Sequence, residues 1–586
     1  MKKLRLVPLV LILSLLIGAF PVSGGAAIAN AALNVPNNIK VGLYYGSGEL
    51  VYGNLLNSSE NSDGRGYKFG YFDSARNFYS VAETDTTAIT MVKDRNLYIT
   101  RDSTNRYVDS PTSDFMGTVG CYHIRLPNGY TDYNAAKEAQ AAYTGSFLLF
   151  ENWVYYVMVG NYFSASEAAA DAAARGISGS GYSASDRCVT VVETGTSNIL
   201  FEFDCGTSFS LGVMPKPEFE GQKPLTWFKG YKYYGGFQYT RLTGNNLTVL
   251  NIVPIEDYIQ GVLPYEMSVS WPIEALKAQA VCARTYAGQN IHKHGAYGFD
   301  VCATTDCQVY RGQNVTGDSI VQAATETAGQ YVTYGSAIAP VYYHSADGGA
   351  TENSENVFAN PLPHLKGVLD PYEGTVKTGH DSWTYTYTPQ QIKERLNAKG
   401  YAAGDILSVT PVYTAVGNIF SLTFKDSNGK TFIFKQRAAA TILSFASGGK
   451  EIFSQRFTLS GNTTQSGALP APPVAQINVT GSDEILEDVD GLYAIGGSGT
   501  AEALSGSSIS IISSSGKQTV KLGKDYGAIR ESGIAQTGSL FTISGSGWGH
   551  NVGMSQYGAR AMALLGYSYE DIIRFYFTGV QLATNA

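Results

Sequence analysis

The chain has 586 residues, with 49 acidic and 41 basic side chains, a formal charge of −8, 65 glycines and 40 tyrosines. That length predicts several domains rather than one core, and the acidic balance without a polybasic run argues against nucleic acid or anionic lipid as a partner. Tyrosines stack on sugar rings but are also ordinary strand residues, so their number is weak support for a glycan ligand.

Lys2, Lys3 and Arg5 precede an apolar run from Leu6 to Phe20, and the small residues Ala27, Ala29 and Ala31 follow. Residues 1–31 therefore read as a secretory signal. As a membrane span the run is short and interrupted by Pro8 and Gly18, and no other stretch is apolar enough to cross a bilayer. The mature chain is expected to be secreted or in the cell wall, on the outer face of the cytoplasmic membrane, with no span of its own. Loss of the three leader bases takes the charge from −8 to −11.

Residues 32–118 alternate short apolar runs with Gly, Asn, Ser and Asp clusters, which predicts strands and turns without identifiable chemistry. Residues 119–206 hold two echoing copies, Gly120–Tyr143 and Val154–Gly176, each an apolar strand, a turn and an Ala-rich helix. With strands at Leu148–Trp153, Cys188–Glu193 and Ile199–Phe203 they predict a β-α-β-β-α-β module. Residues 207–226, containing MPKPEFEGQKP, are expected to be a linker.

Residues 227–580 predict a mixed α/β domain, so the whole reads as α+β, multi-domain and β-rich. Its richest segment is GVLPYEMSVSWPIEALKAQAVCARTY, Gly261–Tyr286. Glu266 is expected in a turn flanked by Tyr265, Met267 and Trp271, where desolvation raises a carboxyl pKa and suits it to general acid work. Pro272 and the strong helix formers after it predict a helix over Ile273–Ala287. Lys277 and Arg284, seven residues apart, share a face of that helix and are expected to grip substrate oxygens. Gln308 and Tyr310, two apart on an extended segment, are expected side by side at a groove wall. Tyr343 and His344 end a strand before Gly348 and Gly349; His550 lies among glycines, and Gln556 and Tyr557 open the next helix. Each of these is a substrate-binding candidate. Ser568 and Asp571 have helix-cap spacing. Between about 461 and 538 the chain turns Gly- and Ser-rich, predicting a small β insertion.

The Glu266 segment, together with CQVYRG at Cys307–Gly312, YYHSADGGATENSENVF at Tyr342–Phe358 and GWGHNVGMSQYGARAMALLGYSYEDIIRFYFTG at Gly547–Gly579, resembles the stage II sporulation protein D and amidase-enhancer family in four ordered motifs. The resemblance implies a peptidoglycan lytic transglycosylase with Glu266 as its single acid and base, acting on glycan strands. Its amidase-enhancer side implies instead a non-catalytic, wall-binding protein that enhances a cell-wall amidase. The second copy of the upstream module resembles the sporulation-related repeat (SPOR) domain, which implies binding of peptide-stripped glycan.

No cofactor is expected, except that Cys302 and Cys307, with His292 and His294 upstream, allow a structural zinc. In some relatives a histidine precedes the second cysteine; here Asp306 stands there. In an exported chain a Cys302–Cys307 disulfide is the favoured expectation, with a reduced pair buried near Cys282 as a third reading. The final motif reads HNVG where the family has Gly after His, so Asn551 is expected to bring a side chain to a backbone position suited to positive φ.

Overall fold

The computed structural model describes residues 33–58, 64–100, 106–242, 244, 246–358, 360–444, 451–462, 529 and 533–585, with six short strand segments between 477 and 521. The secretory signal expected over residues 1–31 and most of the insertion expected over 461–538 lie outside the described residues.

Two large sheets carry the first half of the chain. One has ten strands, in the order Ser180–Tyr182, Tyr122–Tyr130, Val154–Tyr162, Ser146–Glu151, Ile199–Asp204, Val189–Glu193, Ala88–Lys93, Tyr52–Leu56, Thr226–Phe228 and Tyr231–Tyr233. Its first four strands, with α1 (Tyr133–Gln140) and α2 (Ala165–Arg175), make a β-α-β-β-α-β module that differs from the expected one in its last strand. The module's last strand is the short edge Ser180–Tyr182, whereas Val189–Glu193 and Ile199–Asp204 extend the sheet on its other side. Local chemistry sets the helix limits: Asp132 caps α1 by accepting from the Ala135 amide, Ser164 caps α2 through the Glu167 amide, and Gly176 at φ 64° ends α2 in the left-handed conformation.

The second sheet has seven strands, in the order Val301–Cys302, Asn38–Tyr44, Thr248–Pro254, Gly236–Thr240, Leu211–Pro217, Gly64–Phe72 and Phe78–Thr84. The stretch expected as a linker over 207–226 thus supplies a central strand, because Leu211 and Val213 are fully buried on its inner face. The two sheets meet through rings such as Phe69 and Phe201, stacked with centroids 5.3 Å apart. One apolar core runs from Val35 through the module to Val580, so boundaries near 118, 206 and 226 cut through shared packing.

Strand Thr248–Pro254 leads directly into α3 (Ile255–Glu266), followed by α4 (Ile273–Gln289) and α5 (Asp318–Glu326). A second core holds strands Trp383–Tyr387, Ile406–Tyr413, Ile419–Asp426 and Phe457–Gly461, with α6 (Pro389–Ala398) and α7 (Arg437–Thr441). Phe457–Gly461 and Phe541–Gly545 pair antiparallel with Gly461 opposite Phe541, so the intervening segment leaves and returns at neighbouring strand ends. The chain finishes with α8 (Gln556–Leu564) and α9 (Tyr569–Tyr576), the latter started by the expected Ser568–Asp571 capping box. No helix among the described residues is long and apolar enough to cross a membrane.

Because the module and the α3–α5 region share one core, Phe201→Ala is expected to cost about 3–5 kcal/mol and to shift a single unfolding transition that includes both. Calorimetry showing the module melting separately, with the remainder unmoved, would contradict this.

Candidate active site

Glu266 is the last residue of α3 rather than part of a free turn: Pro264 removes an amide donor from the final helical turn, and Met267 goes extended. This presents a half-buried carboxyl at a helix end. Tyr343 donates its hydroxyl to Oε1 at 3.4 Å, and the Gln556 amide donates to Oε2 at 3.2 Å. Behind Tyr343, Gln308 donates to its hydroxyl oxygen at 2.9 Å and accepts from the Tyr258 hydroxyl at 2.9 Å. Tyr258 sits two turns before Glu266 on α3, so the ring of contacts closes on the helix that carries the acid. Burial pushes the Glu266 carboxyl above its ordinary range, while the bonds from Gln556 and Tyr343 oppose the rise.

The two segments that hold Glu266 from outside α3 are joined by a short parallel ladder in which Tyr343 pairs with Met554 and His344 with Ser555. Ser555 caps α8 through the Gly558 amide, which sets Gln556 at the helix start. Tyr557 packs edge-on against Trp271 at 4.9 Å, and the Arg560 guanidinium lies over the same indole at 5.2 Å.

Several expected site residues lie elsewhere. Lys277 and Arg284 do share a face of α4, but α5 covers it. Lys277 pairs with Glu274 at 2.8 Å and Glu326 at 2.6 Å. Arg284 is fully buried, makes a bidentate pair with Glu256 at 2.9 and 2.5 Å, and also donates to the Ala324 carbonyl. Both cations are committed to helix packing. Tyr310 is a core residue, its ring against Tyr258 and its hydroxyl donated to Asn251 at 2.8 Å. It faces the same way as Gln308, as its spacing predicts, but inward. His344 follows Tyr343 on a strand and so points to the opposite face. It is buried, contacts the Val552 carbonyl through Nδ1 at 3.3 Å and packs beside His550 with ring centroids 5.4 Å apart. Burial lowers the pKa of both histidines, that of His550 to about 4, and keeps them neutral.

Sequence reasoning missed Tyr258 and Gln279. Gln279 is fully buried on α4 and accepts from Gln556 at 3.5 Å; the signal for it is a polar residue inside an otherwise Ala-rich buried stripe. Asn551 has φ 62°, as expected, and its side chain has a use: its amide donates to the Asp347 carbonyl at 2.7 Å, tying the Gly348–Gly349 turn to the final motif.

A profile of the family described as "Stage II sporulation protein" matches residues 243–334, the segment that builds α3, α4 and α5. The amidase enhancer of Bacillus subtilis (strain 168) is 30% identical over 330 residues, covering 56% of this chain and 40% of that protein. Stage II sporulation protein D of the same strain is 25% identical over 356 residues, covering 58% and 76%. The chain belongs to the stage II sporulation protein D and amidase-enhancer family. An uncharacterised protein of Brachyspira hyodysenteriae (strain ATCC 49526 / WA1) is 30% identical over 366 residues, covering 62% of this chain and 75% of that one.

The cysteine loop of this family member is built differently from the favoured expectation. All six cysteines are free thiols, so no Cys302–Cys307 disulfide is present. Instead His294, Cys302, Asp306 and Cys307 bring their ligand atoms within 4.8 Å of one another, with His294 Nε2 3.3 Å from the Cys307 sulfur and 3.4 Å from Asp306 Oδ2. His292 stands apart and exposed, facing Asp300. Two sulfurs, an imidazole nitrogen and a carboxylate oxygen are a donor set that fits tetrahedral zinc. Cys307 immediately precedes Gln308, so this loop sets the residue that holds Tyr343.

Two predictions follow from the geometry. Arg284→Ala is expected to destabilise the fold by about 3–5 kcal/mol, since it leaves Glu256 without its buried partner; chemical denaturation measures this. For Glu266 the raised folded pKa means that the protonated group's stabilisation is complete below about pH 4 and is lost as pH rises through the folded value, at about 1.4 kcal/mol per unit of difference. Glu266→Gln should therefore match the native chain in acid and be the more stable of the two at pH 8. A variant less stable than native at pH 8 would show that the carboxylate is a favoured form there.

Proposed function

We propose that the chain is an exported lytic transglycosylase of peptidoglycan, cleaving the bond between N-acetylmuramic acid and N-acetylglucosamine and leaving 1,6-anhydro ends. The observation that carries this reading is a single carboxyl, pushed up in pKa by burial and held only by neutral donors, at the meeting point of the family motifs. Glycosidases that hydrolyse need a second carboxylate as nucleophile or as base for water. Among the described residues no second carboxylate is bonded into the Glu266 cluster.

Protonated Glu266 gives its proton to the glycosidic oxygen as the bond to the anomeric carbon breaks. The carboxylate so formed takes the proton of the muramoyl C6 hydroxyl, whose oxygen closes the anhydro ring. The acid is regenerated without water. Tyr343 and Gln556 serve this sequence because their bonds stabilise the transient carboxylate without locking Glu266 ionised at rest. Trp271 and Tyr557 are the aromatic pair suited to stacking on a sugar face. His294, Cys302, Asp306 and Cys307 would hold a structural zinc, whose contribution is to fix the loop carrying Gln308.

The β-α-β-β-α-β module supports a targeting role on glycan strands through its topology and the resemblance of its second copy's sequence to the SPOR pattern. The relative named amidase enhancer favours a second reading, a non-catalytic protein that binds wall glycan and assists an amidase. Incubation with purified peptide-stripped glycan and mass spectrometry of the products separates them. Anhydro-muramic ends, abolished in Glu266→Gln with glycan binding retained, are the expected result, and activity should fall as pH rises through the Glu266 pKa. Reducing ends would indicate a hydrolase, and no cleavage by the native chain would favour the enhancer.

A further inference from the structure

A second cluster of ligand-type side chains lies inside the ten-stranded sheet, apart from the Glu266 network. Asp94, Cys188 and Glu202 are at most 3% exposed, and their carboxylate oxygens and sulfur lie within 4.8 Å of one another. Asp94 follows strand Ala88–Lys93, Cys188 precedes Val189–Glu193 and Glu202 lies in Ile199–Asp204, three neighbouring strands. Their proximity is therefore fixed by sheet pairing and not by mobile loops.

His123, fully buried, comes from strand Tyr122–Tyr130, which is not adjacent to these three. Its Nδ1 is 2.8 Å from the Gly160 carbonyl, an atom that only accepts, so Nδ1 carries the hydrogen. Nε2 then turns toward Glu202 Oε1 at 3.1 Å. Two lone-pair atoms at that distance need between them either a hydrogen, shared by Nε2 and Oε1, or a metal ion. A histidine that donates one nitrogen to a backbone carbonyl while the other faces a buried carboxylate is held in a fixed orientation beside the cluster. The other Glu202 oxygen has no hydrogen-bond partner although it is buried.

Charge bears on the choice. Arg241, buried beside the cluster, donates to the Cys188 carbonyl at 2.9 Å and the Gly244 carbonyl at 2.7 Å and adds one positive charge. Two carboxylates and one thiolate outnumber Arg241 and the nearby Arg95, so net negative charge is left for a cation to balance. Burying such ligand groups together without a counter-ion carries a desolvation cost that a bound cation would offset. A cavity of about 550 Å³, lined by Asp94, Asn96, Cys121 and Phe163 among others, leads from the surface to Asp94.

We propose that Asp94, Cys188 and Glu202 bind a divalent cation of the zinc class that ties three neighbouring strands together, with His123 Nε2 set against Glu202 at the edge of the site. A set that joins a thiolate sulfur to carboxylate oxygens suits zinc over calcium or magnesium. The site is independent of the cysteine loop and of the catalytic reading. Elemental analysis of the full chain purified with zinc tests it. The Cys302→Ser/Cys307→Ser chain should retain one zinc, and adding Glu202→Gln should remove it. As a second measurement, Cys188→Ser in the otherwise native chain should hold one zinc fewer than native. Cobalt added to the Cys302→Ser/Cys307→Ser chain should give a thiolate-to-cobalt absorption band that Cys188→Ser abolishes. A folded Cys302→Ser/Cys307→Ser chain that binds neither metal, or a Cys188→Ser chain with native zinc content, would overturn the proposal and leave a hydrogen shared by His123 and Glu202 as the bridge.

Discussion

Everything at the candidate site depends on Glu266 being held without a cation. A guanidinium or ammonium at the same place would gain several kcal/mol from pairing with the carboxylate and drive its pKa down. The fold prevents this by giving nearby cations other partners. Lys277 and Arg284 lie two residues before and five residues after Gln279, yet α5 and Glu256 draw both to the far face of α4. The face turned toward Glu266 keeps only an uncharged amide, Gln279, touching Gln556. Neutral donors are weaker than charged ones and can be gained or lost as the proton moves.

Holding such a group requires convergence from distant parts of the chain. Tyr343 and Gln556 are brought together by two ladder pairs, Tyr343 with Met554 and His344 with Ser555. So short a ladder is not stable alone. The neutral, buried His344 and His550 pack behind it, and Asn551 stitches the adjoining turn. Between these two motifs the chain makes the whole second core, whose strand Phe541–Gly545 returns it to the site. Within it the segment between Gly461 and Phe541 leaves and re-enters at adjacent strand ends, where added length changes loop entropy only slowly.

The sequence disclosed types of residue better than directions. Helix α4, the module's strand and helix alternation and the Ser568 cap were legible because each is a local effect of propensity or capping. Glu266 was legible because a carboxyl amid apolar neighbours is an exception. What was not legible was which face of an element meets which partner. Lys277 and Arg284 share a face, as spacing requires, but nothing local tells that α5 lies on it. Gln308 and Tyr310 share a side, but whether it is groove or core depends on Tyr258, some fifty positions earlier. The strand Leu211–Pro217 was hidden by its prolines and lysine, although Leu211 and Val213 carry the alternation that buries it.

The loop at Asp306 shows how such a departure is absorbed. Asp306 supplies a carboxylate donor atom in place of an imidazole, and His294 reaches the same cluster from the other side. Compared with an imidazole at that position, the carboxylate adds one negative charge. Lys293 lies over the loop, donating to the Asp306 carboxylate at 3.2 Å and to its carbonyl at 2.8 Å, which offsets that extra charge. The aspartate and the lysine therefore act as a pair. Because Cys307 is covalently followed by Gln308, and Gln308 sets the Tyr343 hydroxyl, a displacement of this surface loop passes through two hydrogen bonds to the carboxyl of Glu266.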